Sequence, residues 1–140
     1  MSLAFPSVEW VGAYGQAINA SEEYRVASLE WTHGPVALVV NRQPDIGIGD
    51  PVGIWLDLDR GACRTAKVVS DTDADQAPFV ISGDYAVWKR VLRKELGPIA
   101  GIMQRKLVLK GSLPIVVRFI KSAEQLVEAA TAVPTRFLNE

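Results

Sequence analysis

Val8, Val11, Tyr14 and Ile18 recur at helical spacing behind Ser7, a residue whose hydroxyl suits a helix N-cap. Gly12 and Gly15 weaken that helix by about 1 kcal/mol each relative to alanine. Ser21 opens a second helical pattern, with Glu22 and Glu23 in the first turn, where the helix dipole favours carboxylates. Tyr24, Ala27, Ser28 and Trp31 line one face of it, and Gly34-Pro35 predicts its end. Val36 to Val40 is short, β-branched and apolar on both faces, which predicts a strand. Residues 41–51 are rich in Pro, Gly and Asp and predict a loop. Ile54, Leu56 and Leu58 then alternate with Trp55, Asp57 and Asp59, the pattern of a half-buried strand. Arg60-Gly61 predicts a turn, residues 63–70 the returning strand of a hairpin, and residues 71–76 an acidic loop.

Phe79-Val80-Ile81 predicts a short strand. Asp84 is placed to cap a helix with Tyr85, Trp88, Val91 and Leu92 inward and Lys89, Arg90, Arg93 and Lys94 outward. After Gly97-Pro98, the residues Ile99, Ile102 and Met103 predict further helical turns. Residues 106–110 alternate as a strand with Leu107 and Leu109 inward. Ser112 caps a last helical region carrying Ile115, Val116, Phe119 and Ile120, and Ser122 with Gln125 has the spacing of a capping box where the helix would restart. Hairpin-linked strands are antiparallel, and helices at both ends of the order must cover a face of the sheet. The pattern therefore predicts an α+β layered fold and not a doubly wound parallel sheet.

At 140 residues, of which 49% are hydrophobic and 22% charged, the chain fits one domain with one core. It has no apolar run of the length a membrane-spanning helix needs. No Lys or Arg precedes Arg25, unlike a secretory signal, and the expectation is a cytoplasmic protein. Charge is balanced overall at −1 but not locally: residues 1–84 carry 12 acidic and 5 basic side chains, residues 85–140 carry 4 and 10. The basic half is either a solvated helix face or a surface for an anionic head group. It lacks interleaved exposed aromatics, and no nucleic-acid partner is expected.

Motifs for chemistry are weak. Asp71, Asp73 and Asp75 lack the glycine and glutamate of a calcium loop, since Gln76 and Ser82 stand there. Gly47, Gly49 and Gly53 lead into a strand instead of a helix and do not form a dinucleotide fingerprint. His33 stands alone beside the predicted helix end, Cys63 lies on a strand beside Arg64, and Asp57 and Asp59 share a strand face. Each is explained without catalysis, as a helix-end residue, a buried thiol and a solvated face. No catalytic residue, metal site or cofactor is expected. Trp10, Trp31, Trp55, Trp88, Met103 and Phe119 are many large groups for this length. They either pack a core or line a cavity for an apolar ligand, which needs no motif because apolar burial is non-directional.

From about residue 24 to residue 137 the sequence resembles the sterol carrier protein type-2 family, in particular its small stand-alone prokaryotic members. The resemblance is carried by Tyr24-x-x-Ala27-x-x-x-Trp31, by residues 53–63 (Gly-Ile-Trp-Leu-Asp-Leu-Asp-x-Gly-x-Cys), and by residues 77–83 leading to Trp88. It continues through Gly97-Pro98-Ile99 to Met103, Lys106 to Gly111, and the final helix to Phe137; residues 1–20 fall outside it. The resemblance implies a five-stranded, mostly antiparallel sheet covered by helices, with a hydrophobic tunnel between the layers. It implies binding or transfer of a sterol, fatty acid, acyl-CoA or phospholipid without chemistry, and some relatives are accessory domains of enzymes. By position, Trp88, Leu92, Ile99, Ile102 and Met103 would wall the tunnel and Leu107, Leu109, Ile115 and Phe119 would close it. Lys89, Arg90, Arg93, Lys94 or Arg105 would meet an anionic head group. Two departures stand out: Arg105-Lys106 replaces a Gly-Lys found in many relatives, and the chain ends Leu138-Asn139-Glu140 and not in a peroxisomal address.

Three readings follow. The first is a lipid carrier touching membranes transiently. The second is a structural or dimerisation module in which Trp88, Met103 and Phe119 simply pack the core; apart from these readings, the strand Val36 to Val40 is a candidate for pairing across a two-fold as a homodimer. The third is an enzyme using His33, Cys63 or the aspartates. A contiguous cavity of about 300 Å³ or more separates the first from the second.

Overall fold

The computed structural model describes residues 2–138, so the chain end compared above with a peroxisomal address lies partly outside the described residues, at Asn139 and Glu140. Strand β1 (Leu3–Ala4) leads into α1 (Val8–Ala20) and α2 (Glu22–Ala27). The strands β2 (Val36–Val40), β3 (Val52–Asp59) and β4 (Ala62–Val69) follow. A turn of helix, α3 (Asp71–Ala74), precedes β5 (Phe79–Gly83), α4 (Tyr85–Leu92) and α5 (Pro98–Met103). The chain closes with β6 (Val108–Lys110), α6 (Leu113–Arg118), α7 (Ile120–Thr131) and β7 (Thr135–Arg136).

Five strands form one sheet in the order β4-β3-β2-β5-β6. The pairs β2–β3, β3–β4 and β5–β6 are antiparallel and β2–β5 is parallel, so the fold is α+β with a mostly antiparallel sheet. β1 and β7 pair separately and tie the two ends of the chain together. The strand Val36–Val40 is apolar on both faces because both faces are covered. Val36, Leu38 and Val40 pack toward the helices; Ala37 and Val39 join Ala74, Ala77 and Val80 in a small cluster on the other side, with Trp55 against it. As the central strand it has no free edge, which corrects the expectation that it could pair across a two-fold.

Local chemistry explains the joints. The turn between β3 and β4 places Arg60 at φ 50° and Gly61 at φ 90°, the left-handed pair that matches strand twist in a tight hairpin. A Cβ on Gly61 would stand 2.7 Å from the Arg25 carbonyl oxygen, so the glycine also lets α2 approach. Gly15, read as a weak point of α1, is where that helix touches the sheet: a Cβ there would lie 2.6 Å from the Ala66 Cβ. Val8, placed by spacing on the inner face of α1, is 70% exposed; Trp10, Val11, Tyr14 and Ile18 form the buried stripe. The first four of the acidic residues 71–76 form α3 instead of a loop, because the Ser70 hydroxyl caps the Asp73 N–H and Ala74 buries against the sheet. Asp84 starts α4 by position only; its carboxylate accepts from Asn41 Nδ2 at 3.0 Å.

Two helix boundaries differ from expectation for a single reason. α2 stops at Ala27 instead of reaching Gly34, and α7 starts at Ile120 instead of Ser122. Ser122 is buried inside α7, where its hydroxyl donates to the Ala27 carbonyl at 2.9 Å and accepts from the buried Ser28 hydroxyl at 2.8 Å. It therefore finishes α2 and does not cap α7. Ser122→Ala leaves both groups buried without that partner, and loss of about 1–3 kcal/mol is expected. A lower urea midpoint at unchanged m checks this.

Candidate functional site

The sheet and its helix layer leave two apolar cavities between them, of about 60 and 70 Å³. Tyr24, Trp31, Leu58, Phe79, Val116 and Phe119 line the first. Trp10, Tyr14, Ile54, Trp88, Leu92 and Leu107 line the second. Val36 and Ile81 of the sheet and Ala123 and Leu126 of α7 line both, so these four side chains stand between neighbouring spaces. Each cavity is well below the roughly 300 Å³ of a ligand-sized pocket. The layers therefore meet more closely than an open tunnel requires.

The walls are apolar because the polar tips of their aromatic residues are already used. The Trp88 indole donates to the Val39 carbonyl at 2.9 Å, and the Tyr14 hydroxyl donates to the Leu126 carbonyl at 2.8 Å. The Trp31 indole donates to the Gly34 carbonyl at 2.9 Å, and the Trp10 indole to the Thr135 hydroxyl at 2.9 Å. Ring faces and aliphatic carbon are what remain. Trp31 stands edge-on to Phe119 at 5.0 Å and tilts on Phe79 at 5.2 Å. An anionic group inside would lose its hydration with nothing to replace it, so these walls suit apolar groups and not charged ones.

Burial also sets the acidities. It pushes the Tyr24 phenol up to about 12 and the Cys63 thiol up to about 11, and it raises Tyr14 as well. A raised acid holds its proton longer folded than unfolded. Stability is then fully present below about pH 9 and is lost as pH rises through 9 to 12, the range between the ordinary and the folded values of Cys63 and Tyr24. Thermal melts from pH 8 to 11 are expected to show a steady fall in Tm above pH 9. The buried Cys63 is protonated at neutral pH, a poor nucleophile.

The residues expected to wall a tunnel fall into three groups. Trp88, Leu92 and Leu107 line the second cavity and Phe119 the first. Ile102 and Leu109 instead meet Leu107 around an open outer groove of about 360 Å³, together with Arg105 and Val108. Ile99 and Ile115 are half-buried against the core, lining neither cavity, and Met103 is 63% exposed. The cause lies at Gly101, where a Cβ would stand 2.9 Å from the Leu107 side chain. α5 meets the core through this missing side chain and leaves Met103 facing water. The expected head-group cations are also dispersed. Lys89 and Arg93 lie over the Phe137 ring at 5.6 and 5.0 Å, Lys94 pairs with Glu128 at 2.6 Å, Arg90 is half-buried, and Arg105 borders the outer groove.

Trp10, one of the large groups expected to pack a core or line a cavity, lines the second cavity, and so do Phe5 and Tyr14, which the sequence places in no cavity wall. The signal was present as two large aromatics one turn apart on the stripe of α1. The other chemical candidates disperse. His33 is not at a helix end but packs edge-on to Trp31, at 5.1 Å, and Phe119, at 5.7 Å. Asp57 pairs with Arg64 at 3.2 Å. Among the described residues, no three His, Cys, Asp or Glu side chains gather closely enough to hold a metal, and no helix is long and apolar enough to cross a membrane.

Comparison with known proteins matches residues 18–124 to the profile of the SCP-2 sterol transfer family. A crystal structure of sterol carrier protein 2 is similar at a TM-score of 0.84 and 37% identity, over 91% of this chain and 97% of that one. The solution structure of a conserved hypothetical protein from Thermus thermophilus, described as possibly a sterol carrier protein, is similar at a TM-score of 0.84 and 36% identity, over 93% and 90%. The sterol carrier protein domain 2 of Helicoverpa armigera shares the fold at 13% identity and a TM-score of 0.57, over 93% and 94%. No curated protein sequence matches the chain.

Proposed function

The chain belongs to the SCP-2 sterol transfer family, and from that premise we propose that its 140 residues act as one lipid-carrying domain that holds an acyl or sterol tail without chemical change. The observation that carries the reading is the pair of neighbouring apolar cavities between sheet and helices, both lined by Val36, Ile81, Ala123 and Leu126. Movement of α7 away from the sheet joins them into one slot. Trp88, Leu92, Leu107 and Phe119 then contact the tail, with Trp31 and Trp10 beside them. The head stays at the surface, where the basic second half of the chain meets an anionic lipid. Eight buried methylenes give about 6 kcal/mol gross, and ordering the tail and opening the slot take back part of it.

Titration with a fluorescent long-chain fatty acid tests this, with saturable binding at micromolar protein as the expected result. Organic extraction of the purified protein followed by mass spectrometry identifies the native lipid class. The small size of the two cavities favours a second reading, a domain whose core is simply filled. No saturation with fatty acid, acyl-CoA, phospholipid or sterol would select it.

A further inference from the structure

One aromatic side chain, Phe119, lines both the first cavity and a groove of exposed aliphatic residues on the surface. Phe119, at the break between α6 and α7, lines the cavity on its inner side. It also borders an outer groove of about 440 Å³, lined by Val26 and Leu29 from α2 and the segment after it, and by Arg118, Ile120 and Lys121. Val26, Leu29 and Ile120 are 57%, 48% and 40% exposed. Exposed aliphatic residues gathered in one groove mark a surface that meets an apolar partner.

Charge points to the nature of that partner. Of the cations between Leu96 and Ala123, Arg118 and Lys121 lie at this groove, while Arg105 lines the other outer groove and Lys110 pairs with Asp75. At the groove, Arg118 lies over the Phe119 ring at 5.5 Å, and neither Arg118 nor Lys121 has a carboxylate partner among the described residues. Glu30 is the one carboxylate lining the groove. Aliphatic residues rimmed by cations fit an anionic lipid surface, where apolar groups enter the head-group region and cations stay at the phosphates.

We propose that the face formed by the end of α2 and the α6–α7 junction docks on an anionic bilayer. Val26, Leu29 and Ile120 enter the interface, Arg118 and Lys121 take the phosphates, and Phe119 stands between the bilayer and the first cavity as the side chain a tail must pass. This rests on the carrier reading above and assigns it an entry face.

Sedimentation with phosphatidylcholine vesicles, with and without an equal part of phosphatidylglycerol, provides the test. The parent protein is expected to bind the mixed vesicles and to lose that binding in high salt. The double change Arg118→Gln with Lys121→Gln is expected to weaken binding about thirtyfold, at about fivefold per cation. Leu29→Asp with Ile120→Asp is expected to abolish it, with thermal melts showing the variant folded and the soluble fatty-acid probe still bound. Met103→Asp with Val108→Asp, at two exposed apolar residues outside this groove, is expected to leave vesicle binding unchanged. Failure of the parent to bind mixed vesicles overturns the proposal, as does unchanged binding in the first two variants or equal loss in the third. A parent that binds vesicles in this pattern but takes up no probe keeps the docking face and removes the carrier reading; probe uptake without vesicle binding does the reverse.

Discussion

Ala123→Phe is expected to weaken fatty-acid binding about a hundredfold while the protein stays folded. Ala123 lines both cavities from α7, so a ring at this position grows into the space where they would join. Excluding about four methylenes from the slot removes roughly 3 kcal/mol of apolar burial, which is the stated fold-change. The two cavities, of about 60 and 70 Å³, take up part of the added volume, and the remainder costs about 1–3 kcal/mol as overpacking. Tm is then expected to fall by only a few degrees. Probe titration and thermal melting on one preparation separate the effects. Unchanged affinity would mean that the tail, if bound at all, lies elsewhere.

Trp31→Ala is expected to have the largest effect on stability, about 3–5 kcal/mol. Trp31 is 6% exposed and packs on His33, Phe79 and Phe119. Its indole also satisfies the carbonyl of Gly34, ahead of the central strand. Removing it enlarges the first cavity and strands that carbonyl together. For a domain of this size the loss corresponds to roughly 10–20 °C in Tm. Probe binding below the melting transition is expected to survive, because the tail gains room as the fold loses contacts. A Tm change under about 5 °C, less than roughly 2 kcal/mol at this size, would show that the neighbouring rings close over the gap.

The elements of the sheet were legible because period-two patterns and turn residues are local. Ile54, Leu56 and Leu58 against Trp55, Asp57 and Asp59 marked β3, and Arg60-Gly61 marked the hairpin. The start and buried stripe of α4 are as the pattern predicts, with Tyr85, Trp88 and Val91 buried, but Lys89 and Arg90 are half-buried and Arg93 and Lys94 lie beyond its end. Helix ends were less legible where partners lie far along the chain. Ser122 carries the spacing of a cap, yet its hydroxyl is bound to α2, almost a hundred residues earlier. Cavity residues were partly legible for the same reason: Trp88 and Phe119 follow from family position, but Trp10 and Tyr14 reach the second cavity only because α1 lies against β4 through Gly15.

By itself, then, the amino-acid order determined the α+β class, the strand pattern, the family and the charge asymmetry, since these follow from short-range periodicity, motif order and counting. Only the tertiary structure decided that Val36–Val40 lies at the centre of the sheet, that Met103 faces water, and that the apolar space is split in two. Those outcomes depend on how closely side chains from distant segments meet, and a gap or contact of a few ångströms between layers leaves no periodic trace in the chain that forms it.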